Sequence, residues 1–151
     1  MDDKFSERAF STRAVWSGTN NVEGSAITPI FTTSTYRLND SRYHDWADGG
    51  QHSLIYSRWS SVNSEAVSSK VAALEGAEDG ETLASGMAAI SSTLLSLLSK
   101  GDHMVTSPDI YGGTYGLLTS EFPRFGIDVT MADIRDPSSF EAAINENTKL
   151  L

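Results

Sequence analysis

The sequence predicts an α/β fold with a mostly parallel sheet and helices on both faces. Its 151 residues are 39% apolar and 21% charged, which is the composition of a globular domain of ordinary size. Strand-like apolar segments alternate with helical patterns over the second half of the chain, as is typical of a parallel sheet covered by helices. Ligand sites are then expected at the turns from strand to helix.

The first part of the chain, to about Ile55, shows no strong hydrophobic periodicity. We interpret it as an extended arm with short local structure, interrupted by a polar loop over residues 39–51. From Asn63 apolar residues recur at helical spacing. Asn63 or Ser64 can cap this helix and Gly76 can end it. The chain is therefore divided into an arm of residues 1–62 and the first part of a larger domain over residues 63–151.

The later elements alternate between strands and helices. We predict, in order, a strand over 82–84, a helix over 87–99, a buried strand over 103–106, a helix over 111–122 that ends before Pro123, a strand over 127–131, a helix over 138–145 and a strand that begins at Lys149. No charge occurs from Thr82 to Ser99. This segment is serine-rich and its apolar part is short, so it predicts a core helix rather than a membrane span.

The formal net charge is −9, with acidic residues spread along the chain. Binding to nucleic acid or to an anionic membrane needs clustered Lys and Arg, so neither partner is predicted. The chain has no Cys, and its first twenty residues contain no apolar signal-like segment. Both features fit a reducing cytoplasm. The histidines show no ligand spacing, so no metal site is predicted.

A turn at Ser85, Gly86 and Met87 is the best local candidate for a phosphate site. It follows a predicted strand and opens a predicted helix. The free backbone N–H groups and the dipole of a helix N-terminus favour an anion, Gly86 permits close approach, and Ser85 adds a hydroxyl donor. The residues alone favour a plain capping turn instead. Dinucleotide-binding and P-loop spacings are absent.

Two aromatic segments are further candidates. Tyr56 and Arg58 point the same way in an extended chain, where they offer a hydroxyl and a planar guanidinium fork to a phosphate. Tyr111 follows a predicted strand and precedes paired glycines, and its ring could stack on a flat ligand. The alternatives are a basic aromatic surface strand for the first segment and a core tyrosine in a glycine-rich turn for the second.

Taken together, these segments resemble the Cys/Met-metabolism group of fold-type-I pyridoxal-phosphate enzymes. That group includes cystathionine synthases and lyases, homoserine sulfhydrylases and methionine lyase. The resemblance covers nearly the whole chain and depends on the order and spacing of short strings: Thr28-Pro29-Ile30-Phe31-Thr32-Thr33-Ser34-Thr35-Tyr36, Tyr56-Ser57-Arg58-Trp59, Ala72-Ala73-Leu74-Glu75-Gly76, Ser85-Gly86-Met87-Ala88-Ala89-Ile90, Gly101-Asp102-His103 and Tyr111-Gly112-Gly113-Thr114-Tyr115.

The resemblance implies pyridoxal 5′-phosphate as the cofactor and a small-molecule substrate that is an amino acid. Gly86 and Met87 would donate backbone N–H groups to the cofactor phosphate, with the Ser85 hydroxyl beside them. Tyr111 would stack on the pyridine ring and, as the catalytic residue, aid proton movement or departure of the leaving group.

The resemblance also implies a homo-oligomer. Tyr56 and Arg58 would reach the phosphate bound by a neighbouring subunit, so the parent enzyme would be at least a dimer, and a tetramer is expected. After Trp59 the family usually has Gly-Asn-Pro-Thr, where this chain has Ser60-Ser61-Val62-Asn63. This departure changes the expected shape of the turn near the phosphate.

The lysines are a second departure from the family. The Schiff-base lysine of the family lies in a later segment, and none of the four lysines here stands in a matching motif: Lys4, Lys70, Lys100 and Lys149. Residues 149–151 also look like a strand entering a sheet. We therefore expect a fragment of the enzyme, incomplete at its C-terminus and inactive alone.

For the parent enzyme the resemblance implies γ-elimination or γ-replacement on cystathionine or an O-acylhomoserine. Gly113 stands where methionine γ-lyases of the family usually have a reactive cysteine, which argues against that activity. Two functions of other classes stay open. One is a nucleotide- or other phosphate-binding α/β domain that uses the turn at Ser85 and Gly86. The other is a non-catalytic fragment that associates with the full-length enzyme.

Overall fold

The computed structural model describes residues 8–19, 22–48 and 54–151. The chain separates into two compact units, Met1–Thr82 and Leu83–Leu151. The described part of the first unit contains helices α1 (Phe10–Trp16), α2 (Asp40–Ala47) and α3 (Val62–Glu75). The division into an arm of residues 1–62 and a domain of 63–151 stays a prediction, because compactness within one chain does not show which segment serves a neighbouring subunit.

Helices α1 and α3 approach each other closely after α1 ends. Gly18 has φ +68°, and a Cβ there would lie 2.9 Å from the backbone nitrogen of Lys70, so only glycine fits. The Arg13 guanidinium donates to the carbonyl of Ala73, and Lys70 Nζ donates to the carbonyl of Val15 at 3.2 Å. Each helix therefore places a cation on the carboxyl-terminal carbonyls of the other, where the helix dipole favours it.

The N-cap of α3 is Ser61, whose Oγ accepts from the N–H of Ser64 at 3.1 Å. The prediction of Asn63 or Ser64 as the cap was therefore wrong. The Asn63 amide is used elsewhere, because Oδ1 accepts from the Phe31 N–H at 2.8 Å and Nδ2 donates to the Pro29 carbonyl at 2.9 Å. Asn63 thus ties α3 to the preceding arm instead of capping the helix.

Helix α2 occupies most of the segment predicted to be a polar loop. That prediction was wrong for residues 40–47, and residues 49–51 lie outside the described residues. The Trp46 ring lies 6.5 Å from the Trp59 ring and 6.0 Å from the Tyr43 ring, measured between centroids. These ring contacts stabilise a helix that the polar sequence did not suggest. The predicted end of α3 at Gly76 is confirmed, with φ +71°.

The second unit contains the sheet. Its elements are α4 (Gly86–Leu97), β1 (His103–Thr106), α5 (Gly112–Gly116), a π-helical turn (Leu117–Glu121), α6 (Phe122–Phe125), β2 (Asp128–Met131), α7 (Pro137–Ala143) and β3 (Thr148–Leu150). The strand order is β2-β1-β3, and both pairs are parallel. The predicted α/β class with a parallel sheet is therefore confirmed. No helix in the described residues is both long and apolar enough to cross a membrane.

Two predicted elements of this unit were wrong. Residues 82–84 are irregular rather than a strand, and they pair with none of the described strands. The helix predicted to end before Pro123 continues to Gly126, where φ is +73°. A proline ring clashes with the carbonyl four residues earlier in an α-helix. The wider π-helical turn immediately before α6 accommodates Pro123.

The core of the second unit lies under the carboxyl-terminal part of α4. It consists of the buried side chains Leu98, Met104, Leu118, Phe122 and Ile127. The two ends of α4 therefore differ in solvent exposure. Leu98 at the end of the helix is buried, with 3% of its surface exposed, whereas Ser85 and Gly86 at the start are exposed. Burial of apolar side chains fixes the helix and leaves its N-terminus open to a ligand.

His103 holds the strands together at the start of β1. It is 4% exposed. Its Nδ1 lies 2.8 Å from Thr148 Oγ1, and its Nε2 lies 2.8 Å from Thr130 Oγ1. Since Thr148 is in β3 and Thr130 in β2, one imidazole joins all three strands. Its two ring nitrogens are used by the sheet, so we assign His103 a structural role.

Candidate functional site

The first turn of α4 presents two unused backbone donors. Ser85 is the N-cap, and its Oγ accepts from the N–H of Ala88 at 3.1 Å. The N–H of Ala89 donates to the Ser85 carbonyl at 3.0 Å. Among the described residues, the N–H groups of Gly86 and Met87 have no hydrogen-bond partner. The Ser85 hydroxyl hydrogen is also available, because its oxygen serves only as an acceptor in the cap.

This turn is open and suited to an anion. A Cβ built on Gly86 would have no other heavy atom within 4 Å. The first turn of α4 contains no acidic residue, so no side-chain carboxylate there offsets the partial positive charge of the helix N-terminus. The predicted residues Ser85, Gly86 and Met87 therefore form one group of donors at the start of α4.

Tyr111 lies beside this turn. It is the N-cap of α5 and is 71% exposed, and its carbonyl accepts from the N–H of Tyr115 at 2.9 Å. Thr114 Oγ1 lies 3.6 Å from Met87 Sδ, which links the first turns of α4 and α5. A Cβ built on Gly113 would lie 2.6 Å from Tyr111 Cε1 and 3.2 Å from Met87 Sδ. The structure therefore brings the Tyr111 ring next to the first turn of α4.

Tyr56 and Arg58 belong to the other compact unit. Arg58 Cζ lies 5.4 Å from the centroid of the Tyr56 ring and 5.4 Å from that of Trp59, so the guanidinium packs between two aromatic rings. The segment is a turn rather than extended, since the Trp59 N–H donates to the Tyr56 carbonyl at 2.9 Å. An antiparallel bridge joins Tyr56 to Thr35. All three side chains of the turn are exposed.

An ion pair lies just after β2, and the sequence analysis did not predict it. Arg135 donates to both carboxylate oxygens of Asp133, from Nε at 2.9 Å and from Nη2 at 2.8 Å. Hydrogen bonds from Arg135 hold the pKa of Asp133 below its ordinary value. The pKa of Arg135 is raised, mainly by Asp133 and further by the charge of Asp109 in the loop after β1. The sequence pattern that indicates this pair is an Asp and an Arg two residues apart, just after a predicted strand.

Comparison with known proteins identifies the family. The model of the family described as Cys/Met metabolism PLP-dependent enzyme matches residues 11–151. The chain belongs to this family. Its cofactor is pyridoxal 5′-phosphate, and the resemblance drawn from the short sequence strings is confirmed. Among the described residues no group of three or more His, Cys, Asp or Glu side chains could hold a metal ion.

Individual relatives carry several activities. The chain is 38% identical to an L-methionine gamma-lyase of Porphyromonas gingivalis, covering 94% of this chain. It is 36% identical to an O-succinylhomoserine sulfhydrylase of Pseudomonas aeruginosa, covering 99% of this chain. A crystal structure of cystathionine gamma-lyase from Lactobacillus plantarum is similar, with a TM-score of 0.78 and 34% identity over 93% of this chain and 35% of that one.

The chain spans about a third of the length of the curated relatives. The matched part is 36% of the Porphyromonas protein and 38% of the Pseudomonas protein. The four lysines of the chain are Lys4, Lys70, Lys100 and Lys149. Neither Lys70 nor Lys100 lies in the turns described above: Lys70 is in α3, and Lys100 packs against Gly126.

The residues at the first turns of α4 and α5 fit pyridoxal phosphate. Two unpaired N–H groups and a hydroxyl lie together at the exposed start of α4, which suits a phosphate. An exposed tyrosine ring lies next to them, which suits a flat heteroaromatic ring. A phosphate and a flat heteroaromatic ring are both parts of pyridoxal phosphate.

Proposed function

We propose that this chain supplies the phosphate anchor and the stacking ring of a pyridoxal-phosphate-dependent carbon–sulfur lyase or transferase. The observation that carries the proposal is the pair of unpaired N–H groups at Gly86 and Met87 with the exposed Tyr111 ring beside them. A nucleotide would also place a phosphate on this turn. Membership of the family favours pyridoxal phosphate over a nucleotide.

Each residue has a separate task. Gly86 and Met87 donate backbone hydrogen bonds to the phosphate, and Ser85 adds its hydroxyl while it caps α4. Tyr111 covers one face of the pyridine ring. Its hydroxyl, which forms no hydrogen bond within the described residues, moves a proton at the leaving group of the substrate. When bound, pyridoxal phosphate supplies an electron sink for the negative charge that develops at the substrate α-carbon.

The substrate class follows from the names of the relatives. L-methionine gamma-lyase, O-succinylhomoserine sulfhydrylase and cystathionine gamma-synthase are among them. We infer an amino acid with a leaving group on its γ-carbon, and elimination or replacement at that carbon in sulfur amino-acid metabolism. Gly113, which stands in place of the reactive cysteine usual in methionine γ-lyases, favours cystathionine or an O-acylhomoserine over methionine.

A second copy of the protein completes the site in this proposal. Arg58 is exposed, and its guanidinium lies over the Tyr56 and Trp59 rings. We propose that Tyr56 and Arg58 reach the phosphate on the α4 turn of a neighbouring subunit, in a homodimer or a tetramer built from dimers. The lack of cysteine supports a cytoplasmic location.

The test is a calorimetric titration of the 151-residue chain with pyridoxine 5′-phosphate. This analogue has no aldehyde and forms no covalent bond with lysine. We expect it to bind more tightly than either inorganic phosphate or pyridoxine, because both the phosphate and the ring are held. Tighter binding of ATP than of the analogue would instead support a nucleotide-binding domain.

A visible absorption spectrum tests the role of the lysines. The chain is incubated with pyridoxal phosphate and then desalted. We expect a colourless protein, because none of its four lysines stands in the family's lysine motif. A retained visible band would show that one of them bonds the cofactor, and our assignment of the covalent lysine to a later segment would be wrong.

A further inference from the structure

Asn63 connects the start of α3 to the bridge segment, which is residues 29–36. Its Oδ1 accepts from the Phe31 N–H at 2.8 Å, and its Nδ2 donates to the Pro29 carbonyl at 2.9 Å. Both bonds are partly buried, and a buried polar group that loses its partner destabilises the fold. An amide suits this place because one of its ends accepts and the other donates. The family usually has threonine at this position, so the amide contact is a feature of this chain.

The bridge segment also pairs with the chain around Tyr56. The Tyr36 N–H donates to the Ile55 carbonyl at 3.0 Å, and the Ser57 N–H donates to the Ser34 carbonyl at 2.8 Å. These two bonds flank the antiparallel bridge of Tyr56. Two strands joined by so few bonds are only marginally stable by themselves. The pairing therefore depends on other contacts that hold the bridge segment in place, and the amide contact from α3 supplies two hydrogen bonds for this.

Tyr56 in turn determines where Arg58 lies. The Arg58 guanidinium is 5.4 Å from the centroid of the Tyr56 ring. The Tyr56 carbonyl accepts from the N–H groups of Trp59 at 2.9 Å and of Ser60 at 3.2 Å. The same residue thus carries both the ring beneath the guanidinium and the carbonyl that closes the turn. A shift of its backbone would therefore move the guanidinium.

We propose that Asn63 is a positioning residue for Arg58. Its amide holds the bridge segment against the start of α3, and the bridge segment fixes the backbone of Tyr56, over whose ring Arg58 lies. The placement of Arg58 is a property of the chain alone, whereas its use on the phosphate of a neighbouring subunit rests on the proposed function.

The first experiment measures amide hydrogen exchange by NMR in the chain without ligand. The N–H groups of Phe31, Tyr36 and Ser57 should be protected, because each donates within the structure. In Asn63→Ala we expect all three to exchange about tenfold faster. Phe31 loses its acceptor directly, whereas the other two lose the support of the bridge segment. Ser69→Ala, a control in the same helix whose hydroxyl forms no hydrogen bond within the described residues, should leave the three rates unchanged. Faster exchange at Phe31 alone, or no change at any of the three groups, would overturn the proposal.

Asn63→Asp is a second variant that keeps α3 formed, since a carboxylate in the first turn of a helix is favourable. The carboxylate can still accept from the Phe31 N–H, but it cannot donate to the Pro29 carbonyl. We therefore expect faster exchange at Tyr36 and Ser57 in this variant as well, while the N–H groups of α3 stay protected. Parent rates at both groups would contradict the proposal, whether or not the alanine variant folds.

The second experiment links the placement of Arg58 to ligand binding by a double-mutant cycle. Asn63→Ala should weaken binding of pyridoxine 5′-phosphate about three- to tenfold, the scale of one hydrogen bond. The same change in an Arg58→Ala background should have no further effect, because the guanidinium is already gone. Faster exchange with unchanged affinity in both single variants would uphold Asn63 as the positioning residue and refute the phosphate role of Arg58. An equal affinity loss in both backgrounds would show that Asn63 acts without Arg58 and would overturn the proposal.

Discussion

Replacing Gly86 by proline removes one N–H donor from the candidate phosphate turn and leaves α4 intact. Gly86 is the first residue of α4, where the fixed φ of proline suits a helix and its missing N–H breaks no intrahelical bond. Ser85 has φ −162° and ψ 163°, an extended conformation that a residue before proline favours. A Cβ at residue 86 enters open space. The substitution therefore changes the donor and not the fold.

The expected loss follows from one charge-assisted hydrogen bond. A hydrogen bond to a charged group contributes about 1.5–3 kcal/mol. This corresponds to binding of the phosphate about 10- to 150-fold weaker, at about 1.4 kcal/mol for each factor of ten. Gly86→Ala is the matched control, since it also removes the glycine but keeps the N–H. The alanine variant carries the same added Cβ as the proline variant, so the ratio of their two affinities reports the effect of the N–H alone.

The assay is calorimetric titration of each variant with pyridoxine 5′-phosphate, together with thermal unfolding of the same samples followed by circular dichroism. The proline variant should unfold at or above the temperature of the alanine variant, because proline is favourable at the first helical position. If the proline variant binds as tightly as the alanine variant, the Gly86 N–H does not hold the phosphate. If the proline variant alone loses helix content, the assigned start of α4 is wrong.

Three further predictions concern single residues. Ser85→Ala removes an N-cap and should cost about 1 kcal/mol in urea unfolding, as should Ser61→Ala, but only Ser85→Ala should weaken phosphate binding. Arg135→Gln should raise the pKa of Asp133 in an NMR titration. Because the pKa of Asp133 is lowered in the folded state, ionised Asp133 contributes to the stability of the fold, and this contribution disappears as the pH falls through the folded pKa. The stability of the variant should therefore not show this decrease at acid pH. His103→Leu should cost about 1–3 kcal/mol in urea unfolding, because two threonine hydroxyls lose their ring partner.

The fold was predictable where local pattern decides the structure. The segment His103–Thr106 is a buried strand as predicted, and α4 and α7 lie within their predicted ranges or one residue outside them. The wrong predictions concern elements that depend on tertiary contacts, and hydrophobic periodicity does not report such contacts. Helix α2 is stabilised by the Trp46–Trp59 ring contact. Residues 82–84 have the residues of a strand but no pairing partner among the described strands.

The candidate site was predictable in its local parts only. A serine before a glycine at the start of an apolar helix is a recognisable cap, so the donors at Gly86 and Met87 could be found from the sequence. The contact between Met87 and Thr114 joins residues 27 positions apart, and it depends on how α4 and α5 pack. The crowding of Gly113 by the Tyr111 ring depends on the same packing. The sequence could therefore identify these residues as candidates, but it could not predict their contacts with one another.

The proposed site combines the α4 turn of one chain with Arg58 of its neighbour. This arrangement can be tested by complementation between two variants. If Arg58 acts on a neighbouring subunit, Arg58→Ala and Gly86→Pro each damage every site of their own homodimer. In a dimer formed from one chain of each kind, one site combines an intact α4 turn with an intact Arg58, and the other carries both defects. Random exchange makes half of the dimers mixed, so about a quarter of all sites should regain the parent affinity for pyridoxine 5′-phosphate.

The outcome distinguishes the two arrangements because an intrachain site gives no such recovery. If Arg58 served the turn of its own chain, every site in the mixture would keep one defect, and the titration would show no sites of parent affinity. The required control is a mixture of Arg58→Ala with Arg58→Ala chains carried through the same exchange. Recovery in the mixed sample and not in the control would require a homo-oligomer, since only a partner chain can supply the missing guanidinium.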